Sequence, residues 1–122
     1  MAKIEKFEDL KCWQAARELA KVVYHACENG KLAKDFDTKS QLRRAALSTM
    51  NNIAEGFGRG SDKVFIRFLE MSQSSAMEVK SMTYILMDLA YLDEQSVTSI
   101  SEKAEETKSI TLGLIRYLRS KK

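Results

Sequence analysis

The chain has 122 residues, with 44% hydrophobic and 30% charged residues. That balance suits one globular domain able to bury about two-thirds of its unfolded surface, and it excludes general disorder. The chain has no proline and only five glycines, too few turn formers for an all-β or α/β fold of this length. The net charge is +3, and the whole excess falls between residues 31 and 60, where six basic groups face three acidic ones. An excess of that size does not by itself identify a nucleic-acid binder.

Four helices are expected, over residues 9–29, 38–57, 62–92 and 95–120 of a single domain spanning 1–122. In the first, Leu10, Trp13, Ala16, Ala20, Val23 and Cys27 recur every three or four residues. Asp9 serves as its N-cap, and Gly30 supplies the left-handed residue that ends it. In the second, Thr38 and Gln41 have the capping-box spacing, and Leu42, Ala46, Thr49, Ile53 and Phe57 share a face. Ala45, Ala46 and Gly56 keep that face thin enough for a close neighbour. The third helix starts from Ser61 as N-cap and buries Phe65, Phe68, Ser72, Ala76, Val79, Thr83, Leu86 and Ala90. In the fourth, Val97, Ile100, Ala104, Thr107, Ile110 or Thr111, Leu114 and Leu118 form the apolar stripe. Short connectors between such helices predict an all-α, antiparallel up-down-up-down four-helix bundle. Its basic C-terminal tail suits a helix C-terminus, where the macrodipole favours cations.

Cys12 and Cys27 lie on one predicted helix, roughly 22 Å apart, too far for a disulfide. Reduced, packed thiols in a cytoplasmic protein are expected. The opening MAKIEKFEDL is charged and carries no apolar signal run, and no stretch approaches the roughly 20 apolar residues of a membrane span. His25 is the sole histidine, and its side chain points away from that of Cys27, so no nucleophile–base pair forms between them. Neither a Glu-x-x-His pair nor a CxxC motif occurs, and the glycines at 56, 58 and 60 follow a helix rather than a strand. The expectation is a chain that is not an enzyme and takes no metal or cofactor.

Two stretches are more specific. One is Phe7-Glu-Asp-Leu10 leading into Trp13 and Ala16. The other is Gln41-Leu-Arg-Arg-Ala-Ala46, then Asn52-Ile-Ala-Glu-Gly56, Arg59, Ser61, Phe65, Phe68-Leu69 and Glu78. Together they resemble the family of 23S rRNA intervening-sequence proteins, named for reading frames inside insertions in bacterial 23S rRNA genes. The resemblance covers nearly the whole chain and implies a homopentameric four-helix bundle. A more distant relative is the accessory protein of diversity-generating retroelements, which binds nucleic acid and a reverse transcriptase. The chain departs from the family pattern by lacking a proline in the first connector and by carrying Ser74, rather than glycine, before Ser75. The serine puts in question a close helix contact there.

The polar residues of the second helix allow two readings. In one, Asn52 and Glu55 hydrogen-bond to loop backbone or to another helix and, with Gly56, hold the glycine turn. In the other, Lys39, Arg43, Arg44, Arg59, Lys63 and Arg67 form a patch that contacts phosphates. Five copies around a ring would raise +3 to about +15, enough to bind RNA or DNA without reading bases. Ile66, Met77, Tyr84 and Tyr91 lie away from the buried face of the third helix. They either pack within the chain or form a subunit interface, and the resemblance favours the interface. A bundle that docks a partner protein instead of nucleic acid is the rival expectation.

Overall fold

The structure, a computed structural model, describes residues 3–121. Its helices are α1 (Lys11–Ala26), α2 (Phe36–Phe57), α3 (Asp62–Asp88) and α4 (Glu94–Ser120), with 3-10 turns at Phe7–Asp9 and Lys31–Lys34. No strand occurs among the described residues. Each helix packs on two neighbours: α1 on α2 and α4, and α3 on α2 and α4.

The helix ends differ from expectation where a better local partner exists. Asp9 falls in the 3-10 turn, and Leu10 precedes α1 without capping it through its side chain. α1 stops at Ala26 rather than Asn29, and Gly30, with φ +59°, instead opens the second 3-10 turn. Asp35 caps α2, accepting from the Thr38 N–H at 3.1 Å and the Thr38 hydroxyl at 2.9 Å. Gln41 is therefore free to reach across and donate to Glu78 of α3 at 3.2 Å. Ser61 caps α3 as expected, accepting from the Val64 N–H at 3.3 Å. Asp93 caps α4, accepting from the Ser96 N–H at 2.7 Å. α3 ends early because Ala90 turns left-handed, at φ +53°. The Tyr91 N–H then bonds to the Leu86 carbonyl at 2.9 Å and the Ala90 N–H to that of Met87 at 3.0 Å, a Schellman stop. Ala90 is accordingly exposed instead of buried.

The core lies in two apolar clusters along the bundle. One gathers Leu19, Val23, Leu32, Leu42, Leu86 and Ile100; the other gathers Leu10, Ile53, Phe65, Leu69, Ile115 and Leu118. Between them along the helices lies a band of buried hydroxyls, each of which returns its proton to a helix carbonyl. Thr49 donates to Ala45, Thr107 to Lys103 and Thr111 to Thr107, while Ser72 crosses from α3 to the Thr49 carbonyl at 2.6 Å. With no buried side-chain polar atom left unpartnered among the described residues, this band holds α2 and α3 in register at little desolvation cost. Most of the expected core positions are buried. Trp13, Phe57, Phe68, Ile110 and Leu114 are half-buried instead, and Cys12, Leu19, Leu69 and Ile115 join the core. Trp13 packs edge-to-face on Phe7, with ring centroids 5.2 Å apart.

Gly56 marks the closest approach of α2 to α3. A Cβ there would stand 2.5 Å from the Phe68 Cβ. Ser74 does not widen any contact inside the chain, because it is exposed; Ser75 faces α2, and its Oγ lies 2.8 Å from that of Ser48.

Candidate nucleic-acid interface

The six cations expected to form one patch separate into groups. Lys39 and Arg43 lie near the start of α2, on the side facing α1. The Lys39 ammonium donates to the Ala33 carbonyl at 3.0 Å, and the Arg43 guanidinium lies over the Tyr24 ring, 5.6 Å from its centroid. Both side chains are half-buried by these contacts. Arg44 is exposed one position further round the helix. Arg59, Lys63 and Arg67 sit roughly 20 Å or more along α2 from Arg43, by helical rise. They gather around the glycine turn and the first turns of α3, and all three are exposed. The Arg59 guanidinium lies over Phe68, 5.0 Å from the ring centroid. Such stacking fixes the guanidinium plane while leaving its edge N–H groups for an acceptor.

The fold brings further cations to this second group. Lys3 lines a cleft with Gly60 and Ser61; Arg116, Arg119 and Lys121 arrive with the end of α4. Two carboxylates of α3 take part of that charge. Glu70 pairs with Arg119 at 2.9 Å and Asp62 with Lys121 at 3.1 Å. Arg59, Lys63, Arg67 and Arg116 make no ion pair among the described residues. At the other end of the bundle Asp88, Asp93 and Glu94 surround the α3–α4 connection, all exposed. Lys31 and Lys34 offset part of that negative charge, and Glu5, Glu8, Asp9 and Glu55 offset part of the positive charge near the glycine turn, which leaves a small positive excess toward the turn. Counting charge by chain segment hides this, because the α4 cations are near-balanced within their own segment and become an excess only beside the turn.

The expected Asn52–Glu55 network does not form as described. The Asn52 amide donates within α2, to the Ser48 carbonyl at 2.9 Å and its hydroxyl at 3.0 Å, and reaches α3 only through Ser48 and Ser75. Glu55 is exposed and makes no hydrogen bond or ion pair among the described residues, and Arg59 turns to Phe68 instead of to it. The turn rests on Gly56 and on backbone bonds, the Gly58 N–H donating to Ala54 at 3.3 Å and the Arg59 N–H to Gly56 at 3.2 Å.

Of the four positions considered for a subunit interface, two are committed inside the chain. Ile66 packs against the second core cluster. Tyr91 packs against the first and donates its hydroxyl to Asp35 at 2.7 Å, tying the α3 stop to the α1–α2 connector. That bond, with those from Thr38, holds the Asp35 carboxyl below the usual range and pushes the Tyr91 phenol up. Met77 is half-buried, whereas Tyr84 is 65% exposed. Ile85, Met87 and Leu89 are exposed beside it, giving the second half of α3 an apolar surface.

Both thiols are free and buried. Burial pushes Cys12 up to about 11 and also raises Cys27, which Arg43 and Lys39 partly oppose. Neither thiol is a ready nucleophile at neutral pH. No group of three or more His, Cys, Asp and Glu residues suited to a metal occurs among the described residues, and no helix there is long and apolar enough to cross a membrane.

In sequence, no curated protein matches the chain. Among solved structures, it is similar to a protein of unknown function from the S23 ribosomal protein family of Bacteroides thetaiotaomicron. The two share 22% identity and a TM-score of 0.77 over 85% of this chain and 97% of the other, a likeness of fold. The family model of the 23S rRNA-intervening sequence protein matches residues 8–113, which carry all four helices as far as the penultimate turns of α4. The chain belongs to the 23S rRNA-intervening sequence protein family.

Proposed function

We propose that this chain is a non-catalytic, homo-oligomeric bundle that binds RNA or DNA electrostatically through its glycine-turn end. The observation that carries the reading is the gathering there of Arg59, Lys63, Arg67 and Arg116, exposed and without carboxylate partners among the described residues. Phosphates would displace water and small counterions from these groups without any need to read bases. The lateral pair Lys39 and Arg43 is set aside, since both side chains already serve contacts within the chain.

Up-down-up-down connectivity is part of the same reading. It is supported by cross-helix pairs whose numbers run in opposite senses: Gln41 with Glu78 and Ser48 with Ser75, then Lys80 with Glu105 and Glu70 with Arg119. Self-association through the outer face of α3 is supported by its exposed Tyr84, Ile85 and Leu89, an apolar surface of the kind that subunits cover. The pentamer implied by the family resemblance would multiply the basic ends into one field. The same apolar face favours the second reading, in which the bundle docks a partner protein and nucleic acid plays no part.

Fluorescence-anisotropy titration against labelled single-stranded RNA, at low and physiological salt, tests the choice. Four phosphate contacts per chain predict a slope of about −3 for log affinity against log salt. Absence of binding at low salt would reject the nucleic-acid reading, and a salt-insensitive interaction would support the protein-docking one.

A further inference from the structure

Where the N-terminal segment, the glycine turn and the end of α4 meet, they leave a cleft of about 640 Å³. That volume lies within the roughly 300–1,000 Å³ of small-ligand pockets. Its apolar lining includes Leu10, Phe57, Phe65, Leu114 and Leu118. Phe57 and Phe65 meet edge-to-face, 5.9 Å apart. Tyr117, 43% exposed, adds an aromatic face, and the Lys121 ammonium lies 5.9 Å from its ring centroid. Lys3 and Ser61 add polar groups, and the one side-chain carboxylate on the lining among the described residues, Asp62, is already paired with Lys121.

Charge decides what such a cleft would take. An amphipathic small molecule needs one or two cations for its head group. Here three more exposed cations flank the cleft, each next in sequence to a residue of its lining: Arg59 to Gly60, Lys63 to Asp62 and Arg116 to Tyr117. Exposed cations flanking an aromatic-lined cleft complement a polyanion whose end carries a flat, apolar group. We propose that the cleft receives the unstacked terminal base of a single-stranded RNA or DNA. Tyr117 and Phe57 offer stacking surfaces, and the exposed Arg116, Lys63 and Arg59 are the cations available to the phosphates that follow. This proposal rests on the nucleic-acid reading above and narrows it to single strands with a free end. Aromatic stacking serves any base, so the cleft would select strand state rather than sequence.

The test uses an eight-nucleotide RNA with a terminal 2-aminopurine, free or annealed into a blunt duplex, and the full chain. The single strand should lose 2-aminopurine emission on binding, and the duplex should not. Tyr117→Ala should weaken single-strand binding about five- to hundred-fold, the range expected for losing one stacked base. It should leave duplex binding within about twofold, and Tyr117→Phe should restore the single-strand affinity. Melting curves of both variants check that this exposed position leaves the bundle folded. Salt-dependent binding of both RNAs, unaffected by Tyr117→Ala, would overturn the cleft while leaving the charge reading in place. No binding of either RNA at low salt would overturn both. Saturable binding of decanoate that is lost in Tyr117→Ala, with RNA binding unchanged, would assign the cleft to amphipathic small molecules and refute the proposal.

Discussion

Replacing Gly56 with alanine tests how tightly α2 and α3 are joined above the basic end. The new methyl would lie 2.5 Å from the Phe68 Cβ, 3.1 Å from its Cγ and 3.0 Å from the Phe65 Cδ1. Carbon atoms at rest stand about 3.5–4.0 Å apart, so roughly 1 Å must be found. Phe68 Cβ is fixed to the backbone and cannot swing aside, so the helices must part. Overpacking of this kind costs about 1–3 kcal/mol. Alanine's better helix propensity returns at most about 1 kcal/mol, and less in a last turn. A net loss of about 1–2 kcal/mol is expected, or roughly 4–8 °C in melting temperature for a chain of this size. Gly113→Ala is the matched control, since a Cβ there meets nothing within 4 Å and should stabilise α4. Thermal and urea melts followed by far-UV circular dichroism, at one protein concentration, measure both. If Gly56→Ala melts with or above the parent chain, as Gly113→Ala should, the close approach is not a constraint.

Three other variants probe the remaining features. Ala90→Gly removes the strain of a left-handed alanine at the α3 stop and should stabilise the fold by about 0.5–1 kcal/mol in urea melts. Tyr91→Phe should lower the melting temperature at neutral pH. The Asp35 carboxyl is held below its ordinary 3.8, so its share of stability is present above that value and is lost as pH falls through the depressed one; the two melting curves should converge in acid. A constant gap across that range would remove Asp35 as the partner that matters. Joint replacement of Met77 and Tyr84 by aspartate should reduce the mass measured by light scattering, and an unchanged mass would exclude them from any subunit contact.

The helices were legible because their apolar positions repeat at helical spacing over about four or more turns, and Ser61 stood where a cap was needed. Their ends were harder to read. The Thr38–Gln41 spacing was real, but Asp35 competed for the same N–H with a stronger, charged acceptor. Nothing in Leu89-Ala-Tyr91 signals a left-handed residue, because the stop uses alanine where glycine is usual. The candidate site was half legible. Arg59, Lys63 and Arg67 are close in sequence and stay together, whereas Arg43 is drawn to Tyr24 on a helix that the spacing within α2 cannot reveal. Arg119 and Lys121 lie far from α3 in sequence, and only the fold brings them to Glu70 and Asp62 near the α2–α3 turn. Glu55 looked like a network member because it is four residues from Arg59; the ring of Phe68 offered that guanidinium a nearer partner.

On the proposed function, the glycine-turn end, not the lateral face of α2, meets nucleic acid. The most direct test is to titrate labelled single-stranded RNA with the parent chain and two charge-reversed variants, at low and physiological salt. One variant carries glutamate at Arg59, Lys63 and Arg67, the other at Lys39 and Arg43. The first should lose most of its affinity and show a salt slope shallower by about 2, from three lost contacts, while the second stays within about twofold of the parent. Equal losses in the two variants, or a loss confined to Lys39 and Arg43, would contradict that reading.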